Sequence, residues 1–155
     1  MSIDAVKKYF KELGHEDKVL ELDSSSATVE LAAQALGCHP QRIAKSLSFL
    51  VGDFPIVIVT AGDVKIDNAK YKATFGAKAK MVAFEDVERL IGHSVGGVCP
   101  FAVCDGVKVY LDESLKRFGT VFPACGSANS AIELTIPQLE KYSGYLCWVD
   151  VCKLK

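Results

Sequence analysis

The sequence lacks any apolar run long enough to cross a lipid bilayer. Its longest apolar stretches, such as residues 56–59, are short, whereas a membrane-spanning helix needs about 20 apolar residues. The first residues also lack the apolar core of a secretory signal peptide. We therefore expect a cytoplasmic protein without membrane partners, in which the six cysteines are reduced.

The sequence also lacks the compact motifs of several enzyme classes. It contains no Gly-x-Ser-x-Gly elbow, no Walker phosphate loop and no His-Glu-x-x-His motif, and its three histidines have no evident serine or cysteine partner. Cys99 with Cys104, and Cys147 with Cys152, share a Cys-x4-Cys spacing. Because residues five apart on a strand point to opposite faces, neither pair converges on a metal without a bulge. The sequence therefore predicts no metal site, with zinc or redox chemistry at the cysteines as an alternative.

An excess of charge of either sign is also missing, since 18 basic and 19 acidic residues leave a net charge of −1. Binding of a nucleic acid must then depend on a local patch. One candidate is a cluster of five lysines within sixteen residues, opposed only by Asp67: Lys65, Lys70, Lys72, Lys78 and Lys80. We predict that this lysine cluster contacts backbone phosphates, although a solvated helix face explains it equally well.

What is present is the composition of a globular domain. The 155 residues are 50% apolar and 24% charged, without a linker or repeat, which predicts one domain over residues 1–155. Helical and strand patterns are interspersed, and hairpin signals are frequent. The strongest, Asp105-Gly106, is predicted to join residues 101–104 to residues 107–111. We therefore predict an α+β fold with a mixed, mainly antiparallel sheet flanked by helices.

Lys45 stands out in the strand predicted from residue 43. Period-two alternation places it on one face with Ile43, Leu47 and Phe49. Its side chain either extends along the apolar surface to an edge or points into a polar pocket. In a pocket, the ammonium would suit a phosphate or an ester carbonyl. Alternation alone favours the first interpretation and leaves the second open.

A second candidate is the segment Gly96-Gly97-Val98-Cys99-Pro100, followed by Phe101. Paired glycines let the backbone approach a ligand closely, and their N–H groups can stabilise an oxyanion. An ordinary turn before a strand is the competing interpretation.

Two further polar turns are candidates for ligand contacts. One follows the strand predicted at residues 120–124 and contains Gly126, Ser127 and Asn129; the other contains Asp63. Polar loops of this kind carry binding sites on rigid scaffolds. Both also occur as plain connections, and Asp63 in particular fits an Asx turn.

Taken together, these features resemble the YbaK/prolyl-tRNA synthetase editing-domain family over nearly the whole chain. Lys45 occupies the place of the family's lysine, residues 96–100 match its Gly-x-x-x-Pro signature, and residues 126–134 occupy the place of its small-residue loop. The resemblance implies an α+β domain around a mixed, curved sheet.

The resemblance also implies hydrolysis of the ester that joins an amino acid to a mischarged tRNA, without a metal or organic cofactor. The expected substrate is a small amino acid on tRNA for proline or a related tRNA, with an aminoacyl-tRNA synthetase as a possible partner and no DNA. Lys45, Gly96 and Gly97 are predicted to act in catalysis. Contacts to the substrate are predicted for Asp63, Cys99, Pro100, Phe101, Gly126, Ser127 and Asn129.

Two alternatives remain beside a deacylase. One is a module that holds tRNA or an aminoacyl group without hydrolysing it, and the other is a hydrolase of small esters. Lys45 and the Gly-x-x-x-Pro segment favour hydrolysis, and the lysine cluster favours tRNA.

Overall fold

The computed structural model describes residues 2–155, apart from the side chains of Ser2 and Glu16. The described chain contains five α-helices: α1 (Ser2–Glu12), α2 (Val29–Leu36), α3 (Asn68–Phe75), α4 (Val87–Ile91) and α5 (Ile136–Ser143). It also contains ten strands: β1 (Leu20–Glu21), β2 (Ile43–Val51), β3 (Phe54–Ala61), β4 (Val64–Ile66), β5 (Lys108–Asp112), β6 (Thr120–Pro123), β7 (Ser130–Ala131), β8 (Leu134–Thr135), β9 (Cys147–Val149) and β10 (Cys152–Leu154). Short 3-10 turns lie at Glu16–Lys18, Pro40–Arg42, Phe84–Asp86 and Glu113–Arg117.

Six strands form the main sheet, in the order β8-β6-β2-β3-β5-β9. Its centre is the β2–β3 hairpin, which turns at Gly52, where φ is +62° and glycine is favoured. The neighbouring strands β5 and β6 run parallel to β3 and β2. Two small antiparallel ribbons, β1–β7 and β4–β10, complete the described sheets.

The predicted α+β class with a mixed sheet is confirmed. Across all described sheets, four strand pairings are antiparallel and three are parallel, which agrees with a mainly antiparallel arrangement. Within the six-stranded sheet, however, the parallel pairings number three of five. The chain therefore needs long crossovers, which α3, α4 and α5 provide.

Local sequence signals explain where several helices begin. The Thr28 hydroxyl accepts from the Leu31 N–H at the start of α2, and the Asp67 carboxylate accepts from two N–H groups of α3. Thr135 begins α5 with a capping box. These side chains bind N–H groups that have no partner inside the helix.

The prediction of a hairpin at Asp105-Gly106 is wrong, although these two residues do form a turn. Residues 101–104 form no strand, and β5 pairs in parallel with β3 and β9 instead. The backbone N–H of Cys104 donates to the carbonyl of Ile91 at the end of α4, and Phe101 is buried against Phe10 at 4.9 Å between ring centroids. Tertiary packing therefore outweighs the local turn signal.

Candidate functional site

A cavity of about 360 Å³ opens beside the middle of β2. Four groups of residues line it besides β2: residues 26–29; Val95, Gly96 and Val98; Phe122, Ala124, Ser130 and Ala131; and Met81, Val82 and Phe84 of residues 78–84, which we call the rim segment. Most of the lining is apolar, with contributions from Val29, Ile43, Leu47, Val87, Val98 and Phe122. Among the described residues that line the cavity, Lys45 alone carries a charge.

The cavity lies at a gap in the main sheet. On the outer edge of β2, β6 pairs with residues 43–44. Farther along, the rim segment bonds to this edge, and the Leu50 N–H donates to the Lys80 carbonyl at 2.8 Å. No described strand pairs with residues 45–47 on this edge. The sequence does not predict such a gap, because the gap arises where the pairing with β6 ends at residue 44 and the bonds to the rim segment begin only at residue 48.

Lys45 of β2 is one of the residues that line the cavity. Its Nζ donates to the backbone carbonyl of Val64 in β4 at 2.5 Å, and its side chain is partly buried. Burial, followed by the positive charge of Lys155, lowers the pKa of Lys45 from its ordinary value. This placement agrees with the pocket interpretation of Lys45. Its ammonium keeps further donors for a ligand, since it has three N–H groups.

Two serine hydroxyls in the cavity wall were missed by sequence reasoning. Ser26 Oγ and Ser46 Oγ are buried, and neither has a hydrogen-bond partner among the described residues. A buried polar atom without a partner carries an energetic penalty of about 1–3 kcal/mol, so each is a candidate ligand for a polar group of a substrate. The available signal was weak: Ser46 is a polar residue next to Lys45 in an apolar strand.

The two glycine-containing segments meet behind the cavity. A Cβ added to Gly97 would lie 2.5 Å from the carbonyl carbon of Gly126 and from the N of Ser127. Gly96, where φ is +94°, lines the cavity and approaches Ala27 and Ala128. Glycine is therefore required at residue 97 for close backbone contact.

The structure places Gly97, which was predicted to act in catalysis, outside the cavity lining. Its N–H already donates to the carbonyl of Ser94 at 3.0 Å. Gly96 remains the candidate for contact with a reacting group. Gly97 holds the two segments together.

The loop at residues 126–130 adjoins the cavity and contributes Ser130 to its lining. The Ser26 N–H donates to the Ala128 carbonyl at 2.6 Å, and the Leu22 N–H donates to the Asn129 carbonyl at 2.7 Å. Within the loop, the Ser127 hydroxyl bonds to Asn129 Oδ1 and Ser130 Oγ. Gly126, Ser127 and Asn129 do not line the cavity. The loop therefore positions residues 26–28 through these hydrogen bonds, and contact of the three residues with substrate stays a prediction.

Cys99, Pro100 and Phe101, which were predicted to contact the substrate, do not line the cavity. All three are buried away from the cavity. Burial raises the pKa of the Cys99 thiol to about 12, and its Sγ lies 3.5 Å from His93 Nε2. His93 Nε2 lies 2.6 Å from the Phe101 carbonyl oxygen. This cluster belongs to the core, because the chain after Gly97 turns inward rather than along the cavity.

Asp63, which was also predicted to contact the substrate, lies outside the cavity lining. Its carboxylate accepts two hydrogen bonds from the Arg117 guanidinium, at 3.0 Å and 2.5 Å. These bonds hold the pKa of Asp63 below its ordinary value. The carboxylate therefore serves an ion pair between the β3–β4 turn and the turn at Glu113–Arg117.

The five lysines of the lysine cluster do not lie on one helix face. Lys65 is on β4, directly opposite Lys153 of β10, and Lys70 and Lys72 are on α3. Lys70 Nζ bonds to Asp150 at 3.1 Å and to the Cys152 carbonyl at 3.0 Å. Exposed Lys78 and Lys80 are in the rim segment. Two of the five thus lie in the rim segment, and Lys70 is already paired with Asp150.

Residues 2–155 contain neither a metal-binding cluster nor a membrane-spanning helix. No group of three or more His, Cys, Asp or Glu side chains there is arranged to hold a metal ion. No helix in the same part of the chain has the length and apolar character needed to span a membrane.

Comparison with known proteins gives a family match over most of the chain. Residues 23–142 match the family described as the aminoacyl-tRNA editing domain. The uncharacterized protein YwhH of Bacillus subtilis is 54% identical over 154 residues, covering 99% of this chain and 98% of that protein.

Proline--tRNA ligases are more distant relatives of which this chain spans only a part. The Streptococcus mutans ligase is 23% identical over 99% of this chain but only 25% of the ligase. A crystal structure described as that of a candidate trans-editing enzyme for prolyl tRNA synthetase superposes with a TM-score of 0.87 at 28% identity, covering 98% of this chain and 97% of that one. A hypothetical protein, APE2540, superposes with a TM-score of 0.84 at 25% identity, covering 96% and 99% of the two chains.

Proposed function

Because the chain belongs to the aminoacyl-tRNA editing domain family, we propose that it is a trans-editing deacylase, which hydrolyses the ester of a mischarged aminoacyl-tRNA. The observation that carries this proposal is the composition of the cavity. Its apolar lining contains one ammonium group, from Lys45, and two hydroxyls without partners, from Ser26 and Ser46. A few polar groups in an apolar pocket are typical of a site that orients a small ligand.

The aminoacyl end of the tRNA enters the cavity, and the side chain of the attached amino acid packs against the apolar lining. Lys45 lines the cavity and donates to the ester carbonyl or to the terminal nucleotide through the N–H groups that its bond to the Val64 carbonyl leaves over. Ser26 and Ser46 bind polar groups of the aminoacyl-ribose end. Binding at several points fixes the ester in one orientation, which is a large part of the catalytic effect in such sites.

Hydrolysis then requires a water molecule and stabilisation of the developing oxyanion. The substrate's own ribose hydroxyl activates the water, so the protein needs no nucleophile of its own. The backbone at Gly96 and the Lys45 ammonium stabilise the oxyanion. Cys99 takes no part, since its thiol is buried and its raised pKa, about 12, keeps it protonated at neutral pH.

The substrate is a small amino acid on tRNA for proline or a related tRNA. A synthetase rejects a smaller amino acid poorly, because each missing methylene is worth only about 1–3 kcal/mol. A separate hydrolytic site therefore improves accuracy. The likeness to proline--tRNA ligases supports the choice of tRNA. We place the reaction in the cytoplasm, with a synthetase as a possible source of substrate.

The test is a deacylation screen over mischarged tRNAs, comparing the wild-type protein with Lys45→Ala. We expect at least one aminoacyl-tRNA to be hydrolysed faster than it decays spontaneously. The Lys45→Ala variant should lose about 10²- to 10³-fold in kcat, the usual effect of removing one oxyanion donor. Lys141→Ala is the matched control, since Lys141 is an exposed lysine of α5 outside the cavity.

The outcomes separate the possible functions. Acceleration that survives Lys45→Ala unchanged contradicts the assigned site. Tight binding of aminoacyl-tRNA without hydrolysis identifies a binding module. Hydrolysis of small esters in the absence of any tRNA hydrolysis identifies a different substrate class.

A further inference from the structure

Two large apolar side chains at the mouth of the cavity are exposed to solvent. Phe84 is 75% exposed and Met81 is 60% exposed, and both line the cavity. Phe54, at the start of β3, is similarly exposed at 70% but does not line it. Single exposed apolar residues are common. Two of them beside a cavity that takes a ligand form a candidate contact surface.

The rim segment is held in place on both sides of Met81. The Leu50 N–H donates to the Lys80 carbonyl at 2.8 Å, and the Val82 N–H donates to the Ser48 carbonyl at 3.1 Å. Phe84 then begins the 3-10 turn that leads into α4. These hydrogen bonds fix the backbone while they leave the Phe84 ring outside the core. The ring is therefore available to a ligand, and little conformational entropy of the rim-segment backbone is lost on binding.

The charges around these two side chains favour an RNA ligand. Lys78 and Lys80 precede Met81 in the rim segment and are exposed. Of the two acidic residues that follow Phe84, Asp86 is paired with Arg89 at 2.9 Å. Basic side chains interleaved with exposed apolar or aromatic ones are typical of single-stranded nucleic-acid sites. There, lysines contact phosphates and rings stack on bases.

We infer that Phe84 and Met81 hold the terminal base of the tRNA 3′ end by stacking, while Lys78 and Lys80 contact the phosphates that precede it. This inference rests on the proposed function, since it takes the ester in the cavity to belong to a 3′-terminal nucleotide. The polar groups that suit a ribose and an ester lie inside, at Lys45 and the serines. The flat apolar surface that suits a base lies outside, at the rim.

The test uses uncharged RNA hairpins that end in single-stranded 3′-CCA or in the shortened 3′-CC, so that it does not depend on hydrolysis. Removal of the terminal adenosine should weaken binding to the wild-type protein about 5- to 150-fold, the range for loss of one stacked base. Phe84→Ala should weaken binding of the CCA hairpin by a similar factor and leave the CC hairpin unaffected. Phe84→Tyr should restore the preference for CCA.

Phe54→Ala is the matched control, because it removes an equally exposed ring away from the cavity. It should leave both affinities at the wild-type value. The double variant Lys78→Ala/Lys80→Ala should weaken both hairpins alike. It should also reduce the salt dependence of binding, by about 0.7 in log–log slope for each phosphate that the variant no longer neutralises.

The inference is overturned if Phe84→Ala weakens both hairpins equally, or neither, or if the wild-type protein does not distinguish them. It is also overturned if Phe84→Ala leaves RNA binding intact and weakens binding to prolyl-tRNA synthetase, which would make the rim segment a protein-docking surface. The screen could detect no hydrolysis while the preference for CCA still depends on Phe84. That pair of results would reject the proposed deacylase activity and support the base site.

Discussion

Replacing Gly97 by alanine tests whether the two glycine-containing segments depend on each other. The added Cβ would lie 2.5 Å from the carbonyl carbon of Gly126 and the N of Ser127, and 2.7 Å from the Ser127 Cα. Ordinary carbon contacts are about 3.5–4.0 Å, so the loop must move by roughly 1 Å. The atoms in the way belong to the backbone and cannot rotate aside as a side chain would.

The expected loss of stability follows from this overlap. Overpacking of a well-packed site costs about 1–3 kcal/mol. For a chain of this length each kcal/mol lowers Tm by about 2–4 °C, so Gly97→Ala should melt about 2–12 °C below the wild-type protein. We would measure this by thermal unfolding followed by circular dichroism, and confirm it in urea.

Catalytic activity should also fall, and by more than any loss of folded protein explains. The loop displaced by the new Cβ carries the Ala128 carbonyl, which accepts from the Ser26 N–H in the cavity wall. A displacement of about 1 Å in a positioning group reduces the rate by about 10²-fold. We therefore expect kcat of Gly97→Ala to fall by that order at temperatures where the variant is fully folded.

Gly119→Ala is the control, because no described atom lies within 4 Å of a Cβ added there. This substitution should stabilise the protein by about 0.4–1 kcal/mol through loss of freedom in the unfolded chain. If Gly97→Ala melts and reacts as Gly119→Ala does, then Gly97 does not pack tightly against the loop at residues 126–130, and the positioning role assigned to that loop is wrong.

Two further predictions concern pH. Because burial lowers the pKa of Lys45, its ammonium loses its proton at a lower pH than an ordinary lysine, so deacylation above the spontaneous rate should decline with rising pH before the ordinary lysine pKa of about 10.4 is reached. Lys45→Arg should keep its residual activity over the same range, and identical profiles for the two proteins would contradict an ammonium role. Burial also lowers the pKa of His93, so the folded state holds it neutral while the unfolded state takes up a proton below about pH 6.5. Its contribution to stability is full above that pH and is lost below it. The free energy of unfolding in urea should therefore fall more steeply with acid for the wild-type protein than for His93→Gln, and parallel curves would refute this.

Short-range signals were enough to predict much of the local structure. Glycine at the β2–β3 turn and the side chain of Asp67 at the start of α3 act on groups within a few residues, so their effects are visible in the sequence. Alternation along one strand placed Lys45 on an apolar face, and the family resemblance indicated its role in the site. The family resemblance supplied the order of the motifs along the chain.

Long-range packing decided the rest. Asp105-Gly106 does form a turn, but β5 pairs in parallel with β3, and no local signal encodes a partner some fifty residues away. The pocket lysine and Gly96 line the cavity, whereas Cys99 lies only three residues beyond Gly96 and is in the core. Proximity along the chain did not predict which of these residues would face a ligand.

The sequence by itself determined the class of the fold, the family and the two residues, Lys45 and Gly96, that reach the cavity. Only the tertiary structure decided that the cavity opens where one edge of β2 has no described partner strand, that Ser26 and Ser46 line it with buried hydroxyls that lack partners in the described chain, and that Phe84 lies at its mouth. The physical reason is that a cavity is defined by where distant segments fail to meet. Segments far apart in sequence are brought together by burial of apolar surface, which is non-directional, and the space that they leave is a property of the whole packing.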